Sequence, residues 1–149
     1  MDELIQRLIA HEGKSKSAYQ DSLGYWTIGI GRLCDKRKNA GLSEAEMLYL
    51  LNNDIAESRA ELEKFSWFNK LDEIRKEVLI ELHFNMGLGN LLEFKNMLNY
   101  LDQGYYLNAS SQLLKSLYAQ QVGPLRAMDL AQRLISGTYN DGKKALGVK

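Results

Sequence analysis

Apolar residues recur at helical spacing near both ends of the chain and flank one short stretch of a different kind. Leu4, Ile5, Leu8 and Ile9 mark one face of a helix that stops at Glu12, because Gly13 accepts the left-handed conformation past a last turn. Asp21-Ser22-Leu23-Gly24 is a turn tetrad with an acceptor first and glycine last. It leads into Tyr25-Trp26-Thr27-Ile28-Gly29-Ile30, β-branched and aromatic, which reads as a strand. The polar run from Cys34 to Gly41 reads as a loop or hairpin.

Ser43-Glu44-Ala45-Glu46 has the form of a capping box and predicts the start of a long helix. Leu48, Leu51, Ile55 and Leu62 supply its apolar stripe, and neither proline nor glycine interrupts it before Phe65. Some twenty residues make a helix about 30 Å long, enough to join two lobes. Beyond Asp72 the pattern is helix after helix. Ile74, Val78, Leu79, Leu82 and Met86 mark one that ends near Gly87 or Gly89. Leu91, Phe94, Leu98 and Leu101 mark the next, closed by Gly104, and Leu107, Leu113, Leu114 and Leu117 another. Pro124 suits the first position of a further helix carrying Leu125, Met128 and Leu134.

A chain of 149 residues suits one domain, or one split into two lobes, and 45% hydrophobic residues can bury a core. Lys+Arg and Asp+Glu both number 19, and no basic excess argues for nucleic acid. The single Cys34 excludes an internal disulfide and a multi-cysteine metal site. No apolar run approaches the roughly 20 residues of a membrane helix, so no membrane insertion is expected. Acids at Asp2 and Glu3 stand where a signal peptide carries positive charge, so no export signal is expected. Lys36, Arg37 and Lys38 read as a solvated loop rather than a contact for anionic glycan. His11 and His83 show no serine or cysteine partner from which a nucleophilic triad would be built, and Gly29-Ile30-Gly31 lacks the third glycine of a dinucleotide loop. The chain therefore calls for no metal and no cofactor.

Helix end, turn and strand deliver Glu12, Asp21 and Thr27 to one neighbourhood. Two carboxyls in unlike surroundings are the equipment of glycoside hydrolysis, in which one stays protonated for the leaving oxygen and the other stays ionised. Glu12 sits at the negative end of a helix dipole, which is unfavourable to a carboxylate. Asp21 lies in a turn, where backbone amides and water can support charge, and Thr27 can hold a water against it.

The pattern Glu12, Asp21, Thr27, Ile28-Gly29-Ile30-Gly31 resembles that of T-even phage-type lysozymes (endolysins), glycoside hydrolase family 24. The likeness continues through Phe84-Asn85-Met86-Gly87, Gln121 to Ala127, and Gly137-Thr138-Tyr139. It implies an α+β, mostly helical, lysozyme-like fold in one catalytic domain. A β-containing lobe would span about 13–58 and a helical lobe about 1–12 and 59–149, joined by the long helix.

The resemblance also implies an inverting muramidase that cleaves the β-1,4 bond between N-acetylmuramic acid and N-acetylglucosamine of peptidoglycan. Glu12 would be the proton donor, with Asp21 and Thr27 positioning water. Leu33, Phe84, Asn85, Met97 and Gln112 fall at saccharide-contact positions. Met97 replaces the family's serine, Gln112 its asparagine, Arg32 a frequent histidine and Tyr118 the usual tryptophan. Gly31 and Arg126 are supporting, Arg126 matching the arginine that the family pairs with its catalytic glutamate. A monomer is expected, held in a host cytoplasm until a holin releases it to the periplasmic wall. A lytic transglycosylase and a catalytically silent glycan-binding protein are the alternative readings; Asp21 and Thr27 together speak against the first, and intact Glu12, Asp21 and Thr27 against the second.

Overall fold

A computed structural model describes residues 3–34 and 40–139. The run of Lys36, Arg37 and Lys38 lies outside the described residues. Two compact units divide the chain, Met1–Leu51 and Asn52–Lys149. The N-terminal helix falls in the first unit.

In the first unit, α1 (Glu3–Glu12) is followed by β1 (Ser15–Gln20), β2 (Trp26–Gly29) and β3 (Arg32–Leu33), an antiparallel sheet in the order β1-β2-β3. The strand expected over 25–30 is β2, trimmed at both ends. Neither β1 nor β3 was expected. Ser15-Lys16-Ser17-Ala18-Tyr19-Gln20 has no apolar alternation and is mostly exposed. It is a strand because β2 pairs with it, in the register Tyr19 to Thr27 and Gln20 to Trp26, with an irregularity between Ser15 and Tyr19. Arg32 and Leu33 pair with Ile28 and Thr27 on the other edge.

Helix α2 (Glu44–Leu62) begins in the first unit and continues into the second. The capping box is formed: the Ser43 N–H and hydroxyl both donate to Glu46 Oε2, at 2.8 and 2.9 Å, and the Glu46 N–H returns to Ser43 Oγ at 3.3 Å. Arg32 grips the same carboxylate with two guanidinium nitrogens, at 2.9 and 2.6 Å, and so fastens β3 to the start of α2. Of the expected stripe only Leu62 enters the core, while Leu48, Leu51 and Ile55 stay outside it. The described core belongs wholly to the second unit, so a helix that starts elsewhere contributes to it only near its end.

The second unit adds α3 (Ser66–Asn69), α4 (Glu73–Leu92), α5 (Lys95–Asp102), α6 (Tyr106–Leu114), α7 (Leu117–Val122) and α8 (Pro124–Ser136). Helix α4 is broken at Gly87, whose φ of 80° and ψ of 164° are not helical, where the sequence had a helix end. Leu91 lies in the last turn of α4 instead of opening α5. The single helix expected through Leu107 and Leu117 is two. Ser116 donates to the Leu113 carbonyl at 2.6 Å and accepts from the Ala119 N–H at 3.2 Å, which starts a new helix. Leu113 is buried, whereas Leu107, Leu114 and Leu117 are exposed.

Helix α8 does begin at Pro124, but Leu125 and Met128 face outward. Its buried face is Ala127, Leu130, Ala131 and Leu134, because small residues let α8 approach α6 closely. Phe68, Val78, Leu79, Leu82, Leu91, Met97, Leu101, Leu113 and Leu130 fill the core with Leu62 and Leu134. Buried Arg75 of α4 secures the end of α8. Its Nε and Nη2 donate to the Leu134 and Ile135 carbonyls, both at 2.7 Å, and its guanidinium lies 3.5 Å over the Tyr106 ring. A Cβ at Gly137 would meet Arg75 Nη1 at 2.6 Å, which gives the glycine of Gly137-Thr138-Tyr139 its physical reason.

Candidate active site

Glu12 is the last residue of α1, and the Gly13 N–H closes the turn on the Ile9 carbonyl at 2.9 Å, with Gly13 at φ 76°. The Glu12 carboxyl lies against Gly31, where a Cβ would come within 2.7 Å of its Oε2. Gly31, at φ 71°, follows β2 immediately before β3. A bare backbone at that turn is therefore what leaves room for the acid, and the two positions come together although eighteen residues separate them.

Asp21 occupies the turn between β1 and β2. Its Oδ1 accepts the Leu23 and Tyr25 N–H groups at 2.9 and 2.8 Å, while its own N–H donates to the Tyr25 carbonyl at 2.8 Å and its carbonyl accepts from Gly24 at 3.0 Å. Backbone amides thus support this carboxylate, as the turn pattern required, and leave Oδ2 as the oxygen for other work. Thr27 is 5% exposed and donates its hydroxyl to the same Tyr25 carbonyl at 3.1 Å. The peptide groups of Tyr25 therefore hold Asp21 and Thr27 in one frame. The direct hydrogen bond of Thr27 goes to that carbonyl and not to the aspartate.

The saccharide-contact candidates divide. Leu33 is half-buried in β3. Phe84, 48% exposed, lines a groove of about 330 Å³ with Asp54, Glu57, Ser58, Glu61 and His83, and exposed Asn85 follows it on α4. Met97 and half-buried Gln112 line a different cavity, of about 310 Å³, with Phe94 and Lys115. Met97 is 1% exposed and belongs to the core, so it contributes floor and not rim. Arg126, in the first turn of α8, has Glu81 of α4 as an ion-pair partner at 3.4 Å. Glu81 also takes Arg133 at 2.6 Å, and Arg133 reaches Asp129 at 2.7 Å. Tyr118 is buried, and burial pushes its hydroxyl pKa up.

One expectation is corrected. His83 does have a serine: its Nδ1 lies 2.9 Å from Ser58 Oγ, and its Nε2 2.6 Å from Glu61 Oε2. The residues are 25 and 22 positions apart, and only the packing of α2 on α4 joins them, so no local pattern announced the contact. Arg32, noted in the sequence only as standing where a histidine is frequent, takes Glu46 of the capping box as its partner.

The decisive comparison is with protein families: the phage lysozyme family model matches residues 9–133. The chain belongs to the phage lysozyme family. That match takes in Glu12, Asp21 and Thr27 together with Arg126, and the family supports a lysozyme-type glycosidase. Two relatives from Dictyostelium discoideum are similar over most of their lengths. Probable T4-type lysozyme 1 is 28% identical, over 87% of this chain and 91% of the relative. Probable T4-type lysozyme 2 is 26% identical, over 89% and 93%.

Proposed function

We propose that this lysozyme-family chain is an inverting N-acetylmuramidase that hydrolyses the β-1,4 bond between N-acetylmuramic acid and N-acetylglucosamine in peptidoglycan. The observation that carries the reading is the frame around Tyr25, which fixes one carboxylate on backbone amides beside a buried hydroxyl, with a second carboxyl seated on Gly31. Protonated Glu12 donates to the departing glycosidic oxygen as the bond to the anomeric carbon lengthens. A water held by Asp21 Oδ2 and the lone pairs of Thr27 Oγ attacks that carbon from the opposite face, and its proton passes to Asp21. Direct attack by water reverses the configuration and leaves no covalent sugar on the protein.

Leu33, Phe84, Asn85 and Gln112 are the saccharide contacts of this proposal, with Met97 beneath Gln112 and with Gly31 and Arg126 in support. The setting proposed is lysis of a bacterial host by a phage, the protein waiting in the host cytoplasm until a holin admits it to the periplasm. The phage lysozyme family supports that setting, whereas the two similar proteins from Dictyostelium discoideum are not phage proteins and do not support it.

The test is turbidity loss of Gram-negative cells with permeabilised outer membranes, using the parent and Glu12→Gln, with product ends read by mass spectrometry. Clearing by the parent alone, with reducing muramic ends, is expected. Anhydromuramic ends would make the protein a lytic transglycosylase. Wall binding without clearing by either protein would make it a binding protein. Thr27→Glu, which places a third acid beside the sugar, is expected to trap a covalent adduct, and an inactive unmodified variant would remove Thr27 from the water side.

A further inference from the structure

His83 has a place in the groove but none in the chemistry above. Its side chain is 11% exposed, and both ring nitrogens are engaged by residues three apart on α2, Ser58 at Nδ1 and Glu61 at Nε2. An ionised carboxylate only accepts, so Nε2 carries the proton and the Nδ1 of a neutral ring accepts from the Ser58 hydroxyl. With both nitrogens committed, the ring has one orientation. Ser58 is 4% exposed inside a helix, so this trio is an anchor and not a nucleophile with its base. Glu81, two residues earlier on α4, turns instead to Arg126 and Arg133 of α8.

The next residue, Phe84, shows about half its surface in the same groove, and the helix breaks three residues later at Gly87. An exposed ring near a helix break draws little orientation from the core. What precedes it is a side chain tied twice to the neighbouring helix.

We propose that His83 is the positioning residue for Phe84, holding the last turn of α4 before Gly87 on α2 so that the Phe84 ring is set in advance as a platform for a pyranose face. This deepens the saccharide-contact reading of Phe84 and rests on it. Setting a side chain in advance removes an ordering cost of binding, so the gain appears in affinity. Glu12, Asp21 and Thr27 stand on α1, the turn before β2 and β2 itself, in the first unit, so the bond-breaking step is untouched.

The experiment is steady-state hydrolysis of soluble, uncross-linked peptidoglycan strands by the parent, His83→Leu, His83→Gln, Phe84→Ala and the Leu/Ala double variant. His83→Leu is expected to raise KM about three- to tenfold with kcat within about twofold of the parent. His83→Gln, whose amide can still donate to Glu61, keeps KM close to the parent's. Phe84→Ala raises KM similarly, and the double variant rises no further, because both changes remove one platform. Additive rises, or a fall in kcat with KM unmoved in His83→Leu, overturn the proposal. A normal KM in Phe84→Ala overturns it at the saccharide contact itself, whereas a raised KM there with a normal KM in His83→Leu overturns only the role of His83. Should His83→Leu fail to fold, the Ser58→Ala/Glu61→Ala double variant on α2 removes both ties of the same anchor, and a KM equal to the parent's then refutes the proposal.

Discussion

Replacing Gly31 by alanine isolates what that glycine does for the catalytic acid. Two costs are separable. At φ 71° any L side chain meets its own carbonyl, at about 1–2 kcal/mol. In addition, the new Cβ would stand 2.7 Å from Glu12 Oε2, so the carboxyl must retreat by about 0.7 Å to reach ordinary contact. Gly29 supplies the control, since its φ is 70° but a Cβ there meets nothing within 4 Å. Both variants should lose about 3–6 °C in Tm from the backbone cost. They should part in activity. A displacement approaching 1 Å at a reacting group costs up to roughly 100-fold, so Gly31→Ala should lose about 10- to 100-fold in kcat. Gly29→Ala should stay within about threefold of the parent. Circular dichroism melts and initial rates on soluble glycan strands measure both. Equal activity in the two variants would refute the reasoning, because contact with Glu12 would then add nothing to the strain of the turn.

Arg75→Met should destabilise by about 2–4 kcal/mol, because it strips the two carbonyls at the end of α8 of their charged donor. A guanidinium-chloride midpoint matching the parent's would show that the anchor is dispensable. Glu46 is held down at about 2 from the ordinary 4.5, first by its hydrogen bond with Arg32 and then by the Ser43 backbone and hydroxyl. A depressed carboxylate contributes fully above its unfolded value and loses that contribution as pH falls toward the folded one. The Tm advantage of the parent over Glu46→Gln should therefore shrink as pH is lowered from 4.5 to about 2. A constant gap across that window would disprove the linkage.

Chemistry settled over a few neighbouring residues was legible in the chain. Gly13 ends α1, Asp21 opens a turn, Ser43 and Glu46 cap each other, Gly87 breaks α4 and Pro124 starts α8. In each case the partner of a backbone group lies within about four residues, so composition and spacing suffice. The tertiary structure alone decided the rest. Ser15–Gln20 has no periodicity of its own and is a strand only because β2 completes its hydrogen bonds. Ala127 and Ala131, with Leu130 and the expected Leu134, face the core from α8, while Leu125 and Met128 face outward, since what packs there depends on how near α6 comes. Gly31 and Glu12, Arg32 and Glu46, His83 with Ser58 and Glu61, and Arg126 with Glu81 meet across distances in sequence that no local pattern encodes. A side chain's reach, and the burial that gives a contact its value, exist only once the chain has folded.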